Sequence, residues 1–82
     1  MSVVTAQKDT YVRYRGGIKS EVLTKVNKGD NLIFMAELEN WMQVATWDGY
    51  IGYVEKKSLS EVQEMNQDRA FKGEEYTYLT MD

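Results

Sequence analysis

Residues 48–54 read DGYIGYV and follow the segment WMQV at residues 41–44, and together they give the strongest structural signal in the chain. Two aromatic-rich segments flank an Asp-Gly turn, which is the pattern of a β-hairpin. Other segments with alternating apolar residues are separated by Gly and polar clusters, as expected for an all-β domain. These segments lie at residues 3–6, 10–14, 22–26 and 32–38.

The turn of this hairpin determines which side chains face the core. A two-residue turn at 48–49 would place Gln43 on the same face as Val54, which suits neither residue. A three-residue loop at 47–49, with Gly49 in the left-handed conformation, shifts the pairing by one residue and inverts every side chain. We prefer this second register because it groups the apolar residues. Its inner face carries Met42, Val44, Gly52 and Val54, and its outer face carries Trp41, Gln43, Ala45, Ile51 and Tyr53.

Composition argues against catalysis. The 82 residues suffice for one domain, and they include neither Cys nor His. The commonest general base, the commonest metal ligand and the thiolate are therefore missing. We interpret the acidic pair Glu37 and Glu39 as a solvated strand face, and the pair Glu74 and Glu75 as part of an acidic tail. The sequence predicts a protein that is not an enzyme and holds no cofactor or metal.

The charges are unevenly distributed along the chain. Residues 3–60 carry eight Lys or Arg against seven Asp or Glu, whereas residues 61–82 carry two against six. A nearly neutral body with an acidic tail gives no electrostatic reason to expect nucleic acid. No apolar run approaches the roughly 20 residues needed to span a membrane. No signal-peptide pattern opens the chain either, so we expect it to be cytoplasmic or cut from a longer protein.

The C-terminal segment carries a helix signal. Ser58 with Glu61 fits a capping box, and Ser60 with Gln63 fits one equally well; the apolar residues Val62, Met65 and Ala70 suggest a weak stripe beyond it. We therefore predict an acidic linker or tail over residues 61–82 that is partly helical at 61–70.

Residues 3–60 resemble bacterial SH3-type domains. The motifs that carry this resemblance are Val12-Arg13, Lys28-Gly29, Trp41, Asp48-Gly49 and Gly52-Tyr53-Val54. One departure is the loop Tyr14–Gly17, where the family often has Ser-Gly-Pro. A second concerns eukaryotic SH3 domains, which bind Pro-rich peptides. Glu55 and Ser58 stand where those domains usually place a Pro and a Tyr of the binding groove, so we do not expect Pro-rich ligands.

The resemblance implies an SH3-like barrel of about five short antiparallel strands, and an extracellular or cell-wall setting. It also implies a binding or targeting module that recognises cell-wall peptide or glycan for an attached hydrolase of a larger secreted protein. The tail segment at residues 75–82 resembles the approach to the catalytic barrel in chitinase-like glycosyl hydrolases that carry such domains. The alternative is a structural module that packs against that catalytic domain. We expect a monomer in either case.

The preferred register also predicts a binding face. It lets Tyr14, Trp41 and Tyr53 converge on the outer side of the barrel, close to Arg15. Aromatic rings with polar tips suit stacking against sugars or peptide planes. We therefore predict Tyr14, Arg15, Trp41 and Tyr53 as ligand-binding residues. Docking against another domain and plain surface packing remain alternatives, and the outward position of Ile51 favours docking.

Overall fold

The computed structural model describes residues 1–65, and within them the secondary structure is almost entirely β. No α-helix forms in this part of the chain, so it contains no helix long and apolar enough to cross a membrane. The elements are β1 (Ser2–Thr5), β2 (Thr10–Arg13), β3 (Val22–Val26), β4 (Asn31–Glu37), β5 (Trp41–Ala45), β6 (Ile51–Glu55), a 3₁₀ turn (Lys56–Ser58) and β7 (Gln63–Glu64).

The strands form one antiparallel sheet in the order β3-β2-β6-β5-β4-β1-β7. Beyond β1, Ala6 bridges to Leu59, and the Gln7 amide donates a 2.8 Å hydrogen bond to the Ser58 carbonyl oxygen. The all-β class is as predicted. Residues 1–65 form seven strands where about five were expected, because short pairings such as the two-residue β7 extend the sheet.

One cluster of buried apolar residues forms the core, and it includes the inward residues of the β5–β6 hairpin. Gly52 belongs to that hairpin, and its lack of a side chain allows β2 to pack closely against β6. A β-carbon at this position would overlap the carbonyl oxygen of Arg13 and lie 2.7 Å from Cγ1 of Val12. The core cluster contains Val4, Ala6, Val12, Val26, Leu32, Met42, Val44, Val54 and Leu59.

The predicted hairpin register is confirmed. Val44 pairs with Gly52 and Met42 with Val54, and both strands alternate between buried and more exposed residues. Gly49 closes the three-residue loop with a φ of 103°, in the left-handed region that favours glycine.

The predicted helix at 61–70 is wrong for the residues that can be compared. Gln63–Glu64 form β7 on the edge of β1, with Ser2 opposite Glu64, and the Met65 amide donates a 2.7 Å hydrogen bond to the Met1 carbonyl oxygen. Ser58, one of the two proposed helix caps, is instead buried at the end of the 3₁₀ turn. Extended pairing satisfies backbone groups at the β1 edge that a helix would leave unpaired. The remainder of the predicted tail, residues 66–82, lies outside the described residues.

Candidate functional site

An open depression of about 550 Å³ lies on the outer face of the β5–β6 hairpin, and all four predicted ligand-binding residues line it. We call this depression the aromatic groove. The predicted residues in it are Tyr14, Arg15, Trp41 and Tyr53, and they are joined by Gly16, Leu38, Gln43, Ile51 and Gly52.

The floor of the aromatic groove is built by strand pairing. Trp41 and Gln43 are alternate residues of β5 and therefore share one face. Tyr53 lies directly opposite Gln43 on β6, and its other neighbour in the sheet is Arg13 of β2. Trp41, Gln43 and Tyr53 are all half-buried. Because the floor belongs to the paired strands of the sheet, these side chains are held in fixed positions relative to one another.

The loop between β2 and β3 forms one wall of the aromatic groove and is held closed by hydrogen bonds. The Tyr14 amide donates to the Glu21 carbonyl oxygen at 2.8 Å. Nη1 of Arg13 donates to the Ser20 carbonyl oxygen at 2.9 Å, and the Arg15 amide donates to Oγ of Ser20 at 2.8 Å. The loop is therefore a defined wall.

Tyr14 and Arg15 form the exposed rim of this wall. The Tyr14 side chain is 56% exposed, and the Arg15 guanidinium carbon lies 5.1 Å from the centre of the Tyr14 ring. This is the geometry of a cation–π contact, which restricts the motion of a long exposed side chain. The rim thus presents a positive charge next to an apolar ring.

Sequence reasoning missed Leu38 as a member of the aromatic groove. Simple alternation along β4 would place Leu38 on the same face as Leu32 and Phe34. A bulge between Phe34 and Ala36 changes the phase, and the Leu38 amide pairs with the Trp41 carbonyl oxygen at 2.8 Å. Leu38 therefore points outward and is 46% exposed. Gln43 could have been found, because the preferred register already placed it on the outer face.

A second depression, of about 600 Å³, lies on the other side of Trp41, and sequence reasoning did not find it. Its charged residues are engaged with one another. Nζ of Lys57 lies 3.8 Å from a carboxylate oxygen of Glu55, and Lys56 forms an ion pair with Glu37. The only signal for it in the sequence is the polar run Glu55–Lys57 at the end of β6.

Residues 1–65 bring together no group of three or more His, Cys, Asp or Glu side chains that could hold a metal ion. The chemistry available in the aromatic groove is stacking on aromatic rings, hydrogen bonding by Gln43 and the tyrosines, and pairing with the Arg15 guanidinium. These are the interactions of a binding surface.

Comparison with known proteins gives one match. The family model of the bacterial SH3 domain matches residues 8–60, a region that holds β2 to β6 and every residue of the aromatic groove. No curated protein and no solved structure matches the chain. The matched region is well over half of the 82 residues, and its all-β sheet has the architecture expected of this family. The chain therefore belongs to the bacterial SH3 domain family.

Proposed function

We propose that this domain is a non-catalytic targeting module whose aromatic groove recognises bacterial cell-wall peptide or glycan for an attached hydrolase. Membership of the bacterial SH3 domain family supports a binding role in general. The cell-wall ligand, the attached hydrolase and the extracellular setting are the parts that we propose. In this proposal residues 3–60 are the binding module, and residues 61–82 connect it to the rest of a longer secreted protein.

The convergence of Tyr14, Arg15, Trp41 and Tyr53 on one open groove is the observation that supports this proposal. A half-buried indole and phenol offer flat apolar surfaces that stack on sugar rings or peptide planes. Because the floor is part of the sheet, little conformational entropy is lost when a ligand binds to it. A groove of this kind suits an extended, partly polar ligand.

An amide-resolved NMR titration of the 82-residue protein with purified muropeptides and chitooligosaccharides tests the proposal. We expect saturable shifts that cluster at Tyr14, Arg15, Trp41 and Tyr53 for at least one of these ligand classes. Unchanged spectra at millimolar concentrations of both classes would overturn the targeting function.

A matched pair of tryptophan variants sharpens the experiment. Trp41→Ala should abolish the saturable shifts, because it removes the main flat surface of the groove. Trp47→Ala should leave them intact. Trp47 is 57% exposed and lies away from the groove, where its Nε1 donates a 2.9 Å hydrogen bond to the Asn31 carbonyl oxygen. Equal loss of binding in both variants would contradict the assignment of the groove.

A second candidate function is docking against a catalytic domain of the same protein. The exposed apolar side chains of Ile51 and Leu38 favour it, because they are 56% and 46% exposed at the edge of the aromatic groove. In this case the isolated domain binds neither ligand class. Ile51→Ser then lowers the thermal stability or changes the activity of the parent enzyme, and leaves the isolated domain folded.

A further inference from the structure

The aromatic groove has an uneven charge. Among the residues of the segment 1–65 that line it, Arg15 is the one with a full charge, and none is Asp or Glu. Within residues 1–65 the Arg15 guanidinium makes no ion pair, and its nitrogens donate no hydrogen bond to another group of the protein. The groove therefore contains a cation whose donors are available to a ligand.

The two arginines next to this groove have different roles. Arg13 uses Nη1 to hold the loop, through its 2.9 Å hydrogen bond to the Ser20 carbonyl oxygen. Both guanidinium groups lie over a tyrosine ring, Arg13 over Tyr11 at 5.7 Å and Arg15 over Tyr14 at 5.1 Å, but within residues 1–65 that of Arg15 donates no hydrogen bond. Stacking uses the face of the guanidinium and leaves its N–H edge free for a planar acceptor such as a carboxylate. The Tyr14 ring thus positions the Arg15 guanidinium, while the N–H groups of that guanidinium stay free to bind a ligand.

Other charged residues near the aromatic groove also favour a negatively charged ligand. The loop from Arg13 to Glu21 carries three basic residues and one acidic residue. In the neighbouring depression, Lys56 and Lys57 each form an ion pair with a carboxylate, Lys56 with Glu37 and Lys57 with Glu55. The excess of basic residues in this loop, with Arg15 at the rim of the aromatic groove, favours an anionic ligand.

The side chain of Gln43 indicates which chemical group of the ligand lies next to its anionic group. Its half-buried carboxamide sits on the groove floor with Trp41 and Tyr53, and within residues 1–65 it makes no side-chain hydrogen bond. A carboxamide offers one acceptor and one donor group, which matches the C=O and N–H of a peptide unit. A peptide plane can also stack on the flanking aromatic rings.

We propose that the ligand of the aromatic groove is an anionic peptide. Its free carboxylate pairs with the guanidinium of Arg15, and the adjoining peptide unit lies over Trp41 and Tyr53 within reach of Gln43. This inference rests on the targeting function proposed above, and it names the ligand class for the same groove.

Two forms of one peptide test the inference. The probes are an acetylated tetrapeptide of the cell-wall stem with free carboxylates, and the same peptide with every carboxylate converted to a carboxamide. We expect the acid form to bind about tenfold more tightly, because it forms a charge-assisted pair that the amide form lacks. Its affinity should also fall as the salt concentration rises from about 0.05 M to about 0.5 M.

Variants at Arg15 test whether this residue causes the preference for the acid form of the peptide. Arg15→Gln should remove the preference for the acid form, and Arg15→Lys should retain only part of it, because lysine keeps the charge but not the planar fork. Lys25→Gln is the matched control. It removes the same charge from a lysine that lies outside the groove and 3.9 Å from a carboxylate oxygen of Asp9, so the preference should persist.

The outcomes separate this inference from the function on which it rests. Equal affinity for the acid and amide peptides would overturn the inference and leave the targeting function intact. Binding of an acidic oligosaccharide such as oligoglucuronate, with neither peptide bound, would overturn the choice of a peptide. Failure of muropeptides, stem peptides and oligosaccharides to bind would overturn both proposals.

Discussion

The backbone of Gly16 packs against the indole ring of Trp41, such that a β-carbon on residue 16 would lie 3.1 Å from the indole Cγ. The loop between β2 and β3 therefore rests directly on the largest ring of the aromatic groove. Any change in one of the two surfaces shifts the other, because no space separates them.

Gly16→Ala should displace the Trp41 ring and weaken ligand binding several-fold, with little loss of stability, because residue 16 is exposed. Changes in the Trp41 side-chain NMR signals and in the dissociation constant provide the measurement. Gly17→Ala is the matched control, since a β-carbon there would meet nothing within 4 Å. Unaltered Trp41 signals in Gly16→Ala would contradict the contact.

Gly52→Ala should destabilise the domain by about 3 kcal/mol or more, because the new methyl group would overlap a backbone carbonyl oxygen of β2, which cannot move aside as a side chain can. Urea denaturation followed by tryptophan fluorescence gives the free energy of unfolding. A loss below about 1 kcal/mol would show that β2 can move away from β6, contrary to the packing described here.

Ser58→Ala should raise the free energy of unfolding by about 1 kcal/mol. The Ser58 hydroxyl is fully buried and has no hydrogen-bond partner among residues 1–65, so its removal relieves a desolvation cost. Ser60→Ala should do the opposite, since Oγ of Ser60 accepts a 2.9 Å hydrogen bond from the Thr5 amide. Thermal denaturation of both variants checks the pair. Destabilisation by both would mean that the Ser58 hydroxyl is satisfied.

Ser2→Ala should raise the pKa of Glu64 towards the ordinary value of 4.5. The Ser2 hydroxyl donates a 2.7 Å hydrogen bond to the Glu64 carboxylate and, with the nearby α-amino group, holds that pKa down. The lowered pKa means that the contact stabilises the β1–β7 pairing above pH 4.5 and that this stabilisation is lost as the pH falls through the folded-state pKa. An NMR titration of the Glu64 carboxyl carbon measures the shift, and an unchanged midpoint would refute it.

The alternation of apolar and polar residues was sufficient to predict the β5–β6 hairpin. The apolar residues of β5 and β6 fit one register only, so the outward positions of Trp41 and Tyr53 followed from the sequence. The clustering of Tyr14 and Arg15 with them required the fold of the following loop, in which Ser20 accepts hydrogen bonds from Arg13 and Arg15. The sequence contains no sign of that role for a serine.

The failures of prediction have physical causes. Alternation along β4 gave the wrong face for Leu38, because one extra residue at the bulge is invisible in a pattern of apolar residues. The capping pattern at Ser58 predicted a helix from local preferences alone. The free edge of β1, which comes from the other end of the described chain, recruits Gln63–Glu64 into a strand instead.

The pairing of β7 with β1 also sets the mechanical behaviour of the domain. Met1 and Met65 lie side by side, joined by the 2.7 Å hydrogen bond from the Met65 amide. A pulling force applied between these two residues loads the hydrogen bonds of the β1–β7 ladder one after another. This is an unzipping geometry, in which the hydrogen bonds do not share the load as they do in shear. Tension would therefore peel β7 away at low force, while the sheet from β2 to β6, and the aromatic groove with it, would stay folded.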